Sequence, residues 1–178
     1  MQFIETPIAG AYLITPELVS DNRGFFVRTF DSEIFRKQGL VADFPQHSIA
    51  FNLKNRTLRG LHYQHAPYAE TKLVRCVNGE IYDVLLDIRP ESPSFMNWHA
   101  VTLSAASLNT LYIPAGCAHG YLTLKNESLV EYLMDKPYVP ASARGVRYDD
   151  PLFSIDWPDS PVVISERDKN YPNFDVRT

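Results

Sequence analysis

The sequence predicts an all-β protein, a sandwich or barrel of short strands of which the jelly roll is one kind. Short apolar stretches recur along the chain with turn signals between them, which is typical of such folds. Long helical periodicity is scarce, and 13 prolines and 8 glycines punctuate the 178 residues. A chain of this length predicts one domain, here residues 1–178. Its Pro- and Asp-rich end, from about residue 149, is expected to wrap the barrel irregularly.

The predicted strands are apolar stretches bounded by turn residues. They cover residues 72–77, 81–88, 99–103, 110–113, 121–124 and 129–134. Asn78-Gly79, between the first two, is the strongest local hairpin signal in the chain. Two short peripheral helices are expected, at residues 32–38 and near 165–170. In the first, Ile34 and Phe35 lie between charged residues, and Gly39 is placed to end the helix.

Composition excludes several classes of function. The formal net charge is −4 and the pI about 5.7, which disfavours a nucleic-acid binder. The sequence contains neither an apolar run long enough for a membrane span nor the pattern of a signal peptide. Cys76 and Cys117 lie far apart and form no CxxC pair, which argues against a disulfide framework. We therefore expect a cytoplasmic protein with no membrane or nucleic-acid partner.

Two histidine-bearing segments are the candidate chemical motifs. In the first, a regular strand would place Gly60, His62 and Gln64 on one face and Arg59 on the other. Gly60 leaves space there for a ligand or another backbone. In the second, a Pro-Gly turn precedes His119-Gly120 and places the imidazole near a barrel mouth. A core histidine and an incidental turn histidine are the alternative interpretations of the two motifs.

Together the two segments resemble the paired motifs of the cupin superfamily. Many cupins bind a metal through two histidines of the first motif, a carboxylate and a histidine of the second. Here Gln64 stands two residues after His62, and His65, three residues after it, points away in a regular strand. Since His62 and His119 alone are too few ligands for a catalytic zinc or iron site, we expect a metal-free pocket.

A longer ordered series resembles the dTDP-4-dehydrorhamnose 3,5-epimerase family over nearly the whole chain. It includes DxRGFF at 21–26, LRGLHYQ at 58–64, KLVR at 72–75, DVxxDIR at 83–89, PxGxAHG at 114–120, GVR at 145–147 and ISERD at 164–168. The resemblance implies a cupin-type jelly-roll homodimer in which an N-terminal segment of one subunit reaches the partner's active site. It also implies a cofactor-free inversion of C3 and C5 in a nucleoside-diphosphate 4-keto-6-deoxy sugar.

The resemblance assigns catalytic roles to His62 as base, Asp168 as its carboxylate partner and Tyr132 as acid. The residue chemistry agrees, because a neutral imidazole suits proton abstraction near pH 7 and a phenol can return a proton to an enolate. Asp168 as a surface charge and Tyr132 as a barrel aromatic are the alternatives. The expected substrate-binding residues are Arg23, Phe26, Gln46, Arg59, Lys72, His119 and Tyr138. Lys72 is the candidate stabiliser of the enolate oxygen.

Three positions depart from the family pattern around the expected pocket. Arg28 stands where the family often has Glu, Glu70 where it usually has Gln, and the stretch from Gln46 to Asn52 lacks the usual Gln-x-Asn with serines. Other functions stay open: a single-carbon epimerase of a dTDP, CDP or GDP sugar, a non-catalytic sugar-binding cupin, and a metal-dependent cupin oxygenase. The last is disfavoured by Gln64 in place of a second histidine.

Overall fold

Two mainly antiparallel sheets and a separate hairpin form the molecule, as a computed structural model of residues 1–176 shows. The strands are β1 (Gln2–Glu5), β2 (Tyr12–Thr15), β3 (Leu18–Asp21), β4 (Gly24–Val27), β5 (Gln46–Asn52), β6 (Thr57–Gln64), β7 (Lys72–Asn78), β8 (Glu80–Asp87), β9 (Trp98–Ser104), β10 (Thr110–Ile113), β11 (Cys117–Thr123), β12 (Ser128–Met134), β13 (Ala143–Gly145) and β14 (Val163–Ile164). The helices are α1 (Ser32–Lys37), α2 (Glu166–Lys169) and a 3₁₀ turn at Pro140–Ser142.

The strand order defines the two sheets. The first has the order β1-β2-β10-β7-β12-β5, and the second has the order β13-β6-β11-β8-β9 with β14 pairing in parallel with β6. Strands β3 and β4 pair only with each other among the described residues. The predicted all-β jelly roll is thus confirmed.

The main core lies between the two sheets. Val74 and Val130 of the first sheet pack with Ile81, Leu85 and Tyr121 of the second, and all five are fully buried. Side chains alternate along a strand, so every second residue of a regular strand points between the sheets. On β6, β7, β11 and β12 some of these inward residues are polar. These polar positions form the candidate site described below.

Peripheral segments cover the outer faces of both sheets. Helix α1 is capped by Asp31, whose side chain accepts from the Glu33 and Ile34 amides, and it buries Phe35 against the first sheet. The C-terminal segment packs Phe153 and Trp157 against the outer face of the second. None of the helices in residues 1–176 has the length and apolar character needed to cross a bilayer.

Six predicted strands correspond to β7–β12, and both predicted helices are present. The hairpin predicted at Asn78-Gly79 is wrong. The chain turns at Gly79, between the end of β7 at Asn78 and the start of β8 at Glu80, but β7 pairs with β10 and β12 while β8 pairs with β11 and β9. The turn therefore connects the two sheets, because β7 and its neighbours belong to the first sheet and β8 and its neighbours belong to the second.

Candidate active site

A cavity of about 330 Å³ opens between the two sheets. Most of the predicted residues line it, namely Arg59, His62, Lys72, His119, Tyr132 and Tyr138. The second sheet contributes Arg59, His62 and His119, and the first contributes Lys72 and Tyr132. A ligand in this cavity therefore contacts imidazoles on one side and a phenol with an ammonium on the other.

Arg59 and His62 lie on the same face of β6, so the prediction that they lie on opposite faces is wrong. His119 pairs with His62 but Tyr121 pairs with Arg59, so two residues of β6 oppose one of β11. This register shift is a β-bulge, which resets the alternation of side chains. Its extra residue lies at Gly60-Leu61, where a Cβ on Gly60 would stand 2.4 Å from the Gly120 Cα. The space at Gly60 is thus taken by another backbone.

His62 is held by a buried carboxylate. Its Nε2 lies 2.8 Å from Oδ1 of Asp168, whose Oδ2 accepts from the Gly60 amide at 3.1 Å. Burial raises the pKa of Asp168, but the bonds from His62 and Gly60 outweigh this and leave the pKa below its ordinary value. An ionised Asp168 fixes the ring so that Nδ1 is the nitrogen available for proton transfer.

Tyr132 reaches the cavity from the facing sheet. Its ring lies 6.0 Å from that of His119 and at 76° to it. Burial holds the pKa of Tyr132 well above its ordinary value, and the neighbouring Tyr121 and Asp83 raise it further. The phenol therefore carries its proton throughout the neutral range and can donate it.

A second histidine–carboxylate pair stands beside the first. The Nε2 atom of His119 lies 2.9 Å from both carboxylate oxygens of Asp83, and both side chains are buried. His119 is also the cross-strand partner of His62. The site thus contains two imidazoles, each bound through Nε2 to its own carboxylate.

Lys72 lies within hydrogen-bonding reach of the His62 backbone. Its Nζ donates to the His62 carbonyl at 3.2 Å and forms an ion pair with Glu70 at 3.0 Å. Both side chains of the pair are less than a tenth exposed. A buried ammonium beside His62 is well placed to stabilise negative charge on a bound oxygen.

Cationic and aromatic side chains surround the cavity mouth. Arg59 is held by the buried Asn52, whose Oδ1 accepts from its Nε at 2.8 Å. Arg167 brings Nη2 to 3.4 Å from His62 Nε2, and the Tyr171 ring packs 6.0 Å from that of His62. Tyr171 occupies space that a side chain on Gly145 would fill.

Three predicted binding residues do not line this cavity in the described chain. Arg23 and Phe26 lie on the β3–β4 hairpin, where Phe26 is 67% exposed and Arg23 pairs with Asp21. Gln46 instead positions Tyr138, because its Oε1 accepts from the Tyr138 amide at 2.9 Å. Arg28, one of the departures from the family pattern, pairs with Asp31 at 2.7 Å.

Several residues of the site escaped the sequence analysis, namely Asn52, Glu70, Asp83, Arg144, Arg167 and Tyr171. Asp83 had a usable signal, since an acidic residue inside an apolar strand needs a buried partner. Glu70 was noted only as a departure from a pattern. In residues 1–176 no three His, Cys, Asp or Glu side chains cluster in a way that would hold a metal ion.

Comparison with known proteins places this geometry in a family. The family model for dTDP-4-dehydrorhamnose 3,5-epimerase matches residues 5–175. The enzyme of that name from Methanothermobacter thermautotrophicus is 40% identical over 173 residues, covering 96% of this chain and 92% of its own.

Solved structures agree. The Bacillus anthracis dTDP-4-dehydrorhamnose 3,5-epimerase, crystallised with TDP and pyrophosphate, superposes with a TM-score of 0.94 at 35% identity, covering 97% of this chain and 99% of its own. ChmJ of Streptomyces bikiniensis, a 3'-monoepimerase crystallised with dTDP-quinovose, gives 0.88 at 34% identity, with coverage of 94% and 85%. The cupin-type jelly roll is thus confirmed, and the chain belongs to the dTDP-4-dehydrorhamnose 3,5-epimerase family of isomerases.

Proposed function

We propose that this enzyme inverts C3 and C5 of a dTDP-4-keto-6-deoxy-hexose through an enolate, with His62 as base and Tyr132 as acid. One observation carries the proposal: the two groups enter the same cavity from facing sheets. Inversion requires a proton to leave one face of a carbon and to return to the other. A base and an acid on opposite walls of one cavity meet that requirement.

Side chains of the cavity account for the proton removed from the substrate and for the proton returned to it. Nδ1 of His62 takes the proton from C3 or C5, both of which lie next to the C4 ketone, and Asp168 stabilises the resulting imidazolium. The C–H electron pair moves to the C4 oxygen, where the Lys72 ammonium offers an N–H group. Tyr132 then gives its proton to the opposite face of the carbon, and the carbonyl reforms.

The cavity mouth suits a nucleoside diphosphate. Arg59, Arg144 and Arg167 supply guanidinium groups, whose fork of donors matches phosphate oxygens. Tyr138 is 55% exposed at the mouth and is free to stack on a base. In the dimer that we propose, the exposed β3–β4 hairpin brings Arg23 and Phe26 of one subunit to the cavity of the other.

A single-carbon epimerase is the second candidate. ChmJ, which inverts one carbon by its name, is about as similar to this chain as the Bacillus anthracis 3,5-epimerase, at 34% against 35% identity. The two reactions share base and acid, so they differ in whether the enolate is reoriented for a second proton transfer.

The test is incubation with dTDP-4-keto-6-deoxy-glucose in D₂O, followed by proton NMR and trapping with a downstream reductase. Deuterium at both C3 and C5 with an L-lyxo product supports the proposal. Deuterium at one carbon indicates the single-carbon reaction. If only CDP or GDP analogues exchange, the nucleotide assignment is wrong, and if none exchanges, the protein is a non-catalytic cupin.

A further inference from the structure

We infer that Glu70 is a positioning residue for Lys72, fixing the ammonium so that one N–H is aimed at the substrate oxygen. The inference rests on the proposed function and extends it to a residue outside the expected catalytic set. Glu70 lines the cavity, yet its side chain is only 9% exposed. A buried carboxylate is unfavourable unless it is paired and hydrogen-bonded.

Both oxygens of Glu70 are occupied. Oε1 lies 3.0 Å from the Lys72 Nζ, and Oε2 accepts a hydrogen bond from Nε2 of Gln64. The anchor itself is rigid, since Gln64 is buried and its Oε1 accepts from the Val139 amide at 2.6 Å. The carboxylate is therefore held in one place on the cavity wall.

The ammonium group has three donors, and two of them are accounted for. One is directed to Glu70 and another to the His62 carbonyl at 3.2 Å. With these two fixed, the direction of the third N–H is set by tetrahedral geometry. A lysine alone on a flexible stem would lack this orientation, and precise orientation is a large part of catalytic rate.

The position also explains why a carboxylate stands where an amide is usual in the family. Lys72 and Gln64 each face a different oxygen of Glu70, so a glutamine in the same orientation would turn its NH₂ group, which only donates, toward one of these two donors. A glutamate accepts from both and supplies a counter-charge to a lysine that is itself only 8% exposed. Glu70 thus fixes the orientation of the Lys72 ammonium group and also stabilises its charge.

A double-mutant cycle tests this directly. Glu70→Ala, Lys72→Met and the double variant are compared by kcat, KM and deuterium uptake from D₂O with dTDP-4-keto-6-deoxy-glucose. We expect Glu70→Ala to lower kcat about 10- to 100-fold with KM changed less than about threefold. We expect the double variant to be no slower than Lys72→Met, because Glu70 acts only through Lys72.

Two results would overturn the inference: multiplicative losses in the double variant, or Glu70→Ala within about twofold of wild type. Exposed Glu91 gives the matched control, Glu91→Ala, and circular dichroism checks the fold. If Glu70→Ala does not fold, Glu70→Met, which keeps a side chain of similar length but has no carboxylate to accept from Lys72, replaces it in the same cycle. Failure of wild type to exchange any deuterium would refute the proposed function instead.

Discussion

The Nε2 atom of His62 lies 2.8 Å from Oδ1 of Asp168, although the two are 106 positions apart in sequence. Asp168 is buried, yet its pKa is below the ordinary value, so it is ionised at neutral pH and can only accept. The proton between the two residues therefore belongs to Nε2. Nδ1, the other ring nitrogen, is left with the lone pair that a base requires.

Replacing the carboxylate tests this assignment. Asp168→Asn removes the charge that stabilises the imidazolium and allows the wrong tautomer, so we expect turnover to fall about 10²- to 10⁴-fold. His62→Ala is expected to lose a similar factor, and the double variant little more, because the pair acts as a unit. Steady-state kinetics and thermal melts measure both effects. Near-normal rates would contradict the mechanism, and Asp156→Asn, an exposed aspartate, is the control.

Tyr132→Phe separates two stages of the reaction. Without the phenol proton, His62 can still remove a substrate proton and return one from solvent to the same face. We therefore expect deuterium uptake to persist while net inversion falls about 10²-fold or more. NMR in D₂O reports uptake, and reductase trapping reports inversion. Equal loss of both would mean that Tyr132 only positions the substrate, and Tyr148→Phe outside the cavity provides the comparison.

Much of this site follows from the sequence because each strand alternates its side chains. Inward positions on β7, β11 and β12 place Lys72, His119 and Tyr132 in one cavity, as their motifs indicate. The face of Arg59 was predicted wrongly because a bulge adds one residue to β6. The sequence signal of a bulge is a glycine within a strand, and the same signal also indicates a close approach of another backbone. At Gly60 the structure has both the bulge and the close backbone approach.

The remaining errors concern partners that are distant in sequence. The Asn78-Gly79 turn was recognised, but the pairing of its flanking strands depends on β10 and β11, more than thirty positions away. Glu70 was missed because its role appears only with its partners, and the signal of Asp83 in an apolar strand does not identify His119, 36 positions away, as the partner. Local rules thus predict elements well, whereas pairing needs the three-dimensional fold.

Subunit mixing tests the role of the β3–β4 hairpin. In the proposed dimer Arg23 contacts the partner's substrate, and in the proposed mechanism His62 is the base, so we expect Arg23→Ala and His62→Ala each to be inactive alone. A mixed dimer contains one site with an intact base and an intact arginine, so mixing is expected to restore about a quarter of wild-type activity if subunits exchange randomly. Native mass spectrometry confirms the mixed species. No recovery in confirmed mixed dimers would mean that Arg23 acts within its own chain.

Asp87 predicts a pH-dependent contribution to stability away from the site. Asp87 is fully buried, which raises its pKa. Hydrogen bonds from Arg89, Ser92 and Ser94 outweigh this effect and hold the pKa of Asp87 at about 2, against an ordinary value of 3.8. A lowered pKa contributes stability that is present above the unfolded value and lost as pH falls through the folded value. The contribution is about 2 kcal/mol at neutral pH.

Asp87→Asn is therefore expected to unfold at lower urea than wild type near neutral pH. The difference in free energy of unfolding shrinks as pH falls from about 5 to about 2, where the wild-type carboxyl becomes protonated as well. Asp159→Asn, whose carboxylate is 52% exposed in its pair with Arg56, is expected to show little of this dependence. A pH-independent difference would contradict the ionised state of Asp87.

The close approach of β6 to β11 is tested by adding a single methyl group. Gly60 has φ +124°, and its Cβ would stand 2.4 Å from the Gly120 Cα and 2.8 Å from the His119 carbonyl oxygen, both backbone atoms. Gly39 also has a positive φ, +72°, but its Cβ would meet nothing within 4 Å. Gly39→Ala therefore measures the conformational cost alone, about 1–2 kcal/mol.

Gly60→Ala is expected to destabilise the protein by about 2 kcal/mol more than Gly39→Ala, because φ +124° is less accessible to alanine than φ +72° and because the strands must separate at the bulge. That separation also moves His62 away from His119, so turnover is expected to fall in molecules that remain folded. Urea unfolding and kinetics of the two variants, measured side by side, distinguish the two effects. Equal destabilisation with full activity in Gly60→Ala would mean that the bulge does not set the distance between the two imidazoles.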